Sequence, residues 1–157
     1  MTALAAELQA TCLRRGLHVV TVESCTGGLV GAAITAIPGS SGYYLGGFIT
    51  YADEVKRDQT GVPAEVLAAH GAVSAQVALA MAEGARSRLG ADLGVSVTGV
   101  AGPDGGSEAK PVGLTYVGVA DANGTDVRRY VWNGDREANR LDSAAAALEL
   151  ALERAGA

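Results

Sequence analysis

Residues 17–37 read LHVVTVESCTGGLVGAAITAI. The first six are rich in β-branched residues (Val19, Val20, Thr21 and Val22) and read as a short buried strand. Glu23-Ser24-Cys25-Thr26-Gly27-Gly28 then breaks the run with polar residues and glycine. From Leu29 the chain resumes with small residues of helical character, until residues 38–42 (PGSSG) break it again. A buried strand that hands over to a helix through a tight turn is the building unit of α/β proteins.

Working outward, the spacing of Leu4, Leu8 and Cys12 predicts a helix over 2–15, ended by Gly16. Residues 46–51 (GGFITY) have strand character. Asp53 is suited to cap a short helix running through Lys56 to Gln59, with Gly61 as its stop. Pro63 suits the start of a helix over 64–69. Ser74 suits the cap of a longer helix reaching Leu89, with Val77, Met81, Ala85 and Leu89 inward. Residues 92–98 read as a strand leading into a long glycine-rich loop, 99–113. Strands over 114–120 and 127–132 flank an Asn123-Gly124 turn signal. The last segment, 135–155, reads as a helix with Leu141, Ala145, Leu148 and Leu152 inward. The order predicts one α/β domain over 1–157, a single three-layer α/β/α sandwich with a mixed sheet.

Composition narrows the function. Glycine supplies 22 of 157 residues, about twice the usual share, while aromatics make up 4 % and cluster at Tyr43, Tyr44, Phe48 and Tyr51. The net charge of -5 gives no broad basic footprint for nucleic acid and a poor match to anionic membranes. No apolar run reaches the ~20 residues that span a bilayer, and the N-terminus reads as an amphipathic helix rather than a signal peptide. The expectation is a cytoplasmic protein. Cys12 and Cys25 cannot build a disulfide framework, and two distant histidines, His18 and His70, make a His-based metal site a poor fit. A small anionic substrate remains compatible with a few local cations.

Four segments can carry chemistry. The turn at Ser24 projects past the sheet's end, where free N–H groups at a helix start can stabilise an oxyanion. Ser24 is then a nucleophile, or Ser24 and Thr26 simply cap the helix. Neither histidine suits the base: His18 falls in the predicted strand and His70 ends a surface helix. Lys56 lies in the first turn of its helix, where the macrodipole opposes its charge and partial burial would act in the same direction, which makes a Ser–Lys pair chemically coherent. Tyr51 is five residues before it, placed to relay a proton or hold the geometry. The loop from Thr98 and Gly99 through Gly102 offers free backbone N–H groups to an anion, with Lys110 as a counter-charge. Arg136 and Arg140 share a face at the start of the last helix, balanced either by Asp135 or Glu137 or by a bound phosphate or carboxylate. A Cys25–Glu23–Lys56 set is the rival nucleophile system.

ESCTGG, GSSGYYLGGFITYADEVK, HGAVS, TGVAGPDGGSEAKPVG and GDREANR, in this order, resemble the CinA carboxy-terminal domain family across essentially the whole chain. Without the larger molybdopterin-binding-like domain of full-length CinA, the sequence resembles the standalone, PncC-type nicotinamide-nucleotide amidases. The resemblance implies an amidohydrolase that converts nicotinamide mononucleotide to nicotinic acid mononucleotide and ammonia, using a Ser–Lys mechanism with no cofactor and no metal. It implies Ser24, Lys56 and Tyr51 as catalytic residues. For substrate it implies Cys25, Thr26, Gly27, Gly46, Gly47, Thr98, Gly99 and Gly102, with Arg140 or Arg136 on the phosphate. The partners expected are a small anionic nucleotide and a second copy in a homodimer or higher homo-oligomer. The sequence departs from the family pattern at Ala52-Asp53, where a small polar residue and Asn are expected. The alternative is a non-catalytic nucleotide- or partner-binding module of the same family.

Overall fold

Glycine decides where the first helix ends. In the computed structural model, which describes residues 1–157, helix α1 (Thr2–Arg15) stops at Gly16, whose φ of 67° is left-handed. Strand β1 (Val19–Glu23) follows with all five residues buried. His18 lies just outside it, exposed and paired with Asp92. Helix α2 (Leu29–Thr35) and strand β2 (Tyr44–Ile49) come next, then three helices in succession: α3 (Asp53–Thr60), α4 (Ala64–His70) and α5 (Ala75–Leu89). Strands β3 (Leu93–Gly99), β4 (Leu114–Asp121) and β5 (Gly124–Val131) precede the closing helix α6 (Arg136–Gly156).

The five strands form one sheet in the order β2-β1-β3-β4-β5. β2, β1 and β3 run parallel, whereas β3–β4 and β4–β5 are antiparallel, so the sheet is mixed. One face is covered by α1, α2 and α6 around Leu8, Val19, Val95, Val97, Val117 and Leu148. The other carries α5, with α3 and α4 beside it, around Val20, Val22, Val77 and Met81. These are the three layers expected. α5 sits unusually close because its strand partners are small: a Cβ on Gly94 would overlap the Ala82 carbonyl, and Ser96 donates to Ala78 O at 2.6 Å.

The connections fix where a ligand can go. From the end of β1 the chain turns to α2 on one face; from the end of β2 it turns to α3 on the other. Between two parallel strands whose exits diverge, a crevice opens at their C-terminal ends. Ser24 and Tyr51 stand on its two sides.

Several local expectations change. Ser74 does cap α5, accepting from Val77 N, and Asp135 caps α6 through Ala138 N. Asp53 does not cap α3; Ala52 holds that position without a side-chain bond. Leu89 and Leu141 are exposed rather than inward. The α6 face that packs includes Ser143, Ala144, Ala147, Leu148 and Ala151, so Leu148 is inward as expected while Ala145 and Leu152 are half-buried. The hairpin turns through Ala122 and Asn123, because Gly124 already pairs with Asp121.

Candidate active site

Glu23 organises the turn after β1. Its carboxylate is 2 % exposed and accepts from the N–H groups of Gly28, Val30 and Gly31 at 3.0, 3.1 and 2.9 Å. The N-terminus of α2 therefore holds a protein carboxylate and has no room for a substrate anion. Gly27 N donates to Ser24 O at 3.1 Å and Ser24 N to Val97 O at 2.9 Å. The N–H groups of Cys25 and Thr26 donate to no main-chain carbonyl. Of the donors expected over residues 25–27, the one on Gly27 is thus already used.

Strand alternation separates the two candidate nucleophiles. Val20 and Val22 belong to the cluster on the α5 side, which places Ser24 on that side too. Cys25 packs in the opposite cluster with α1, α2 and α6, and its Sγ lies where a Cβ on Gly99 would reach, 3.1 Å away. Burial pushes the Cys25 thiol up to about 11, away from thiolate at neutral pH. Alternation continued from β1 assigns Ser24 to the α3 side, while Cys25 packs in the cluster on the other face.

Lys56 comes from α3 on that same side. Its side chain is 1 % exposed, and its Nζ donates to Tyr51 O at 3.1 Å and lies 3.7 Å from Asp53 Oδ1. Desolvation lowers the lysine's proton affinity, while Asp53 opposes that shift. Burial, rather than the macrodipole, is the main cause. Asp53 is an N1 residue that faces the amine instead of capping its helix. Tyr51 holds Lys56 through its main-chain carbonyl; its ring is 59 % exposed and its hydroxyl accepts from Arg136 at 3.2 Å.

The last helix closes the site from the other end of the chain. Arg140 donates to the carbonyls of Cys25 and Thr26 at 3.1 and 2.9 Å. Arg136 donates to Gly102 O at 2.8 Å, and Asn139 to Ala101 O at 3.0 Å, which ties down the glycine-rich loop. Neither arginine has a carboxylate partner, so two positive charges sit uncompensated beside the turn.

The family model for the CinA C-terminal domain matches residues 1–155. The chain belongs to the CinA C-terminal domain family. A CinA-like protein of Gemmatimonas aurantiaca is 52% identical over 96% of this chain and 34% of its own length. A CinA-like protein of Geobacter sulfurreducens is 51% identical over 86% of the chain and 33% of its own. The chain spans about a third of the length of the curated relatives it matches. Among solved structures, the competence/damage inducible protein CihA from Agrobacterium tumefaciens superposes with a TM-score of 0.91 at 44% identity, covering 97% and 94% of the two chains. A CinA superfamily protein from Klebsiella pneumoniae gives 0.94 at 32% identity, covering 99% and 97%.

Some residues expected in the site of this CinA domain lie elsewhere or are spent. Gly46 and Gly47 pair with Val20 and Thr21 in the middle of the edge strand β2. A Cβ on Gly47 would strike Thr21 and the Tyr44 hydroxyl, so the glycine makes room for that pair's 2.7 Å bond. Thr98 is buried and donates to Ala72 O at 2.8 Å, fastening β3 to the segment before α5. Gly99 lets β3 approach Thr115, Leu114 and Cys25. Lys110 does not serve the loop as a counter-charge; its amine caps the C-terminus of α4 at His70 O. No three His, Cys, Asp or Glu side chains converge on a common centre, and no helix is long and apolar enough to cross a membrane. Sequence reasoning missed Glu23 as the anchor of α2. It also missed the buried hydroxyls of Thr26 and Thr50, which have no hydrogen-bond partner.

Proposed function

We propose that the chain is an amidohydrolase that converts nicotinamide mononucleotide to nicotinic acid mononucleotide and ammonia, with Ser24 as nucleophile and Lys56 as base. The observation that carries this reading is the buried Lys56 amine, made readier to lose its proton by desolvation and set on the Ser24 side of the sheet. Neutral Lys56 Nζ takes the Ser24 hydroxyl proton as Oγ attacks the carboxamide carbon. The oxyanion is received by the unengaged N–H groups of Cys25 and Thr26, each donor being worth roughly 3–4 kcal/mol. The C–N bond then breaks, the lysine ammonium passes its proton to the leaving nitrogen, and ammonia departs. Water hydrolyses the resulting ester, Lys56 again moving the proton, and Ser24 Oγ regains its hydrogen.

The rest of the substrate has partners of matching chemistry. Arg136 and Arg140 supply charge for the phosphate, which the α2 terminus cannot accept because Glu23 fills it. Of the clustered aromatics, Tyr43 is buried, Tyr44 and Phe48 are half-buried, and Tyr51 presents an exposed ring for the pyridinium. The test is ammonia release from nicotinamide mononucleotide in chelator-treated buffer. Turnover with matching nicotinic acid mononucleotide is the expected result. Binding of the nucleotide without ammonia would favour the alternative, a non-catalytic nucleotide-binding module.

A further inference from the structure

The ladder hydrogen bonds place three hydroxyl residues side by side. Glu23 pairs with Ile49 on one side and Val97 on the other. One rung further, Thr50 N donates to Glu23 O at 2.8 Å and Ser24 N to Val97 O at 2.9 Å. Thr50, Ser24 and Thr98 therefore occupy adjacent places across β2, β1 and β3, about one strand spacing (~4.8 Å) apart. All three share the α5 side. Phe48, two residues before Thr50, packs in the cluster with Val20 and Val22, and Thr98 donates to Ala72 O.

Their hydrogen bonding differs. The Thr98 hydroxyl is satisfied, whereas Thr50 is fully buried and its Oγ1 has no partner. A buried unpartnered hydroxyl costs the folded state and calls for a physical reason. Lys56 shows the complementary deficit. A lysine ammonium has three donors, yet only Tyr51 O lies within bonding distance, with Asp53 further off at 3.7 Å. Thr50 is the residue directly before Tyr51, on the same side of the sheet. An idle acceptor on Thr50 and idle donors on Lys56 thus lie on the same side of the sheet, joined through Tyr51, whose carbonyl Lys56 holds.

We propose that Thr50 is a positioning residue that acts through Lys56: its hydroxyl oxygen accepts a hydrogen bond from the lysine ammonium formed when the Ser24 proton is taken. The bond is absent while the amine is resting. It forms on proton transfer from Ser24 Oγ to Lys56 Nζ and is released as the proton leaves with ammonia. The inference rests on the Ser–Lys reading. Of the other charged or titratable groups around the amine, Asp53 and Glu54 lie on its own helix and Cys25 on the turn after β1. The neighbouring helix α5 meets the far end of α3, where Gly84 approaches Thr60 and the Arg88 guanidinium reaches Gly61.

The test compares Thr50→Val, which keeps the shape and removes the hydroxyl, with Thr50→Ser, which keeps the hydroxyl. Three readouts are taken: kcat and KM for ammonia release across pH, the titration of Lys56 followed by NMR of its side chain, and thermal unfolding. For Thr50→Val we expect kcat to fall about tenfold with KM little changed. Its acid limb and the Lys56 titration should both move to lower pH, because the ammonium has lost an acceptor. Its Tm should hold or rise, and Thr50→Ser should restore the rate. An unchanged Lys56 titration in Thr50→Val overturns the inference whatever the turnover. So does a rate loss accompanied by a lower Tm and not rescued by serine. If the wild-type protein releases no ammonia but the titration still moves, the amidase reading fails while the Thr50–Lys56 link stands.

Discussion

A lysine amine that is 1 % exposed and has one carbonyl within bonding distance pays a desolvation penalty whenever it is charged. That penalty makes the neutral, proton-accepting form of Lys56 more available, and it has a cost in stability. In the folded chain Lys56 releases its proton more readily than in the unfolded chain. Below the folded titration point the cost is fully present. It fades as pH rises towards the ordinary lysine range, where both states are neutral. Lys56→Met should therefore abolish turnover and stabilise the fold by about 0.5–2 kcal/mol at neutral pH. Parallel denaturant titrations of the two proteins should show this gap narrowing as pH rises. At this scale the sequence revealed the residue type and its helix, but not its surroundings. Helical placement and partial burial both pointed to Lys56 as a tuned base, while the near-complete extent of that burial, set by other elements, was out of reach. Tyr51 was legible as a neighbour five residues away. That it would act through its carbonyl, with its ring turned out to Arg136, depended on contacts across 85 residues.

At the scale of elements, the position of Lys56 depends on how closely α3 lies against α5. Gly84 sets that approach: a Cβ there would overlap the Thr60 carbonyl at the end of α3. Gly84→Ala should push α3 outward and destabilise the protein by about 1–3 kcal/mol, as overpacking does. It should also lower kcat by moving the amine away from Ser24, read by thermal unfolding and steady-state rates on the same preparation. Element boundaries were largely legible because glycine and capping residues mark them, as Gly16, Gly61 and Ser74 do here. Phase was less so. α6 runs through four consecutive alanines, and alanine gives too weak an apolar contrast to choose between neighbouring faces. Its packing against α1 and α2 seats Leu148 among small residues and leaves Leu141 outside.

At the scale of the whole molecule, the site is assembled from both ends of the chain. The turn at residues 23–28 is held from within by Glu23 and from α6 by Arg140, across more than a hundred residues. Arg136 joins the glycine-rich loop to Tyr51 and adds charge at the crevice mouth of an otherwise acidic protein. Arg136→Ala should raise KM for nicotinamide mononucleotide about tenfold and weaken its dependence on ionic strength, with a smaller effect on kcat. Steady-state kinetics at two salt concentrations checks this. The pair of arginines was visible in the sequence as an i, i+4 spacing; their main-chain partners were not, because only the folded topology brings α6 over the end of β1. The most direct measurement of the central claim is ammonia release from nicotinamide mononucleotide by the wild-type protein and by Ser24→Ala. Thermal unfolding confirms that both are folded. A Ser24–Lys56 amidase gives wild-type turnover and a fall of about 10³-fold or more in Ser24→Ala at unchanged Tm. A folded Ser24→Ala protein that releases ammonia at the wild-type rate would contradict it.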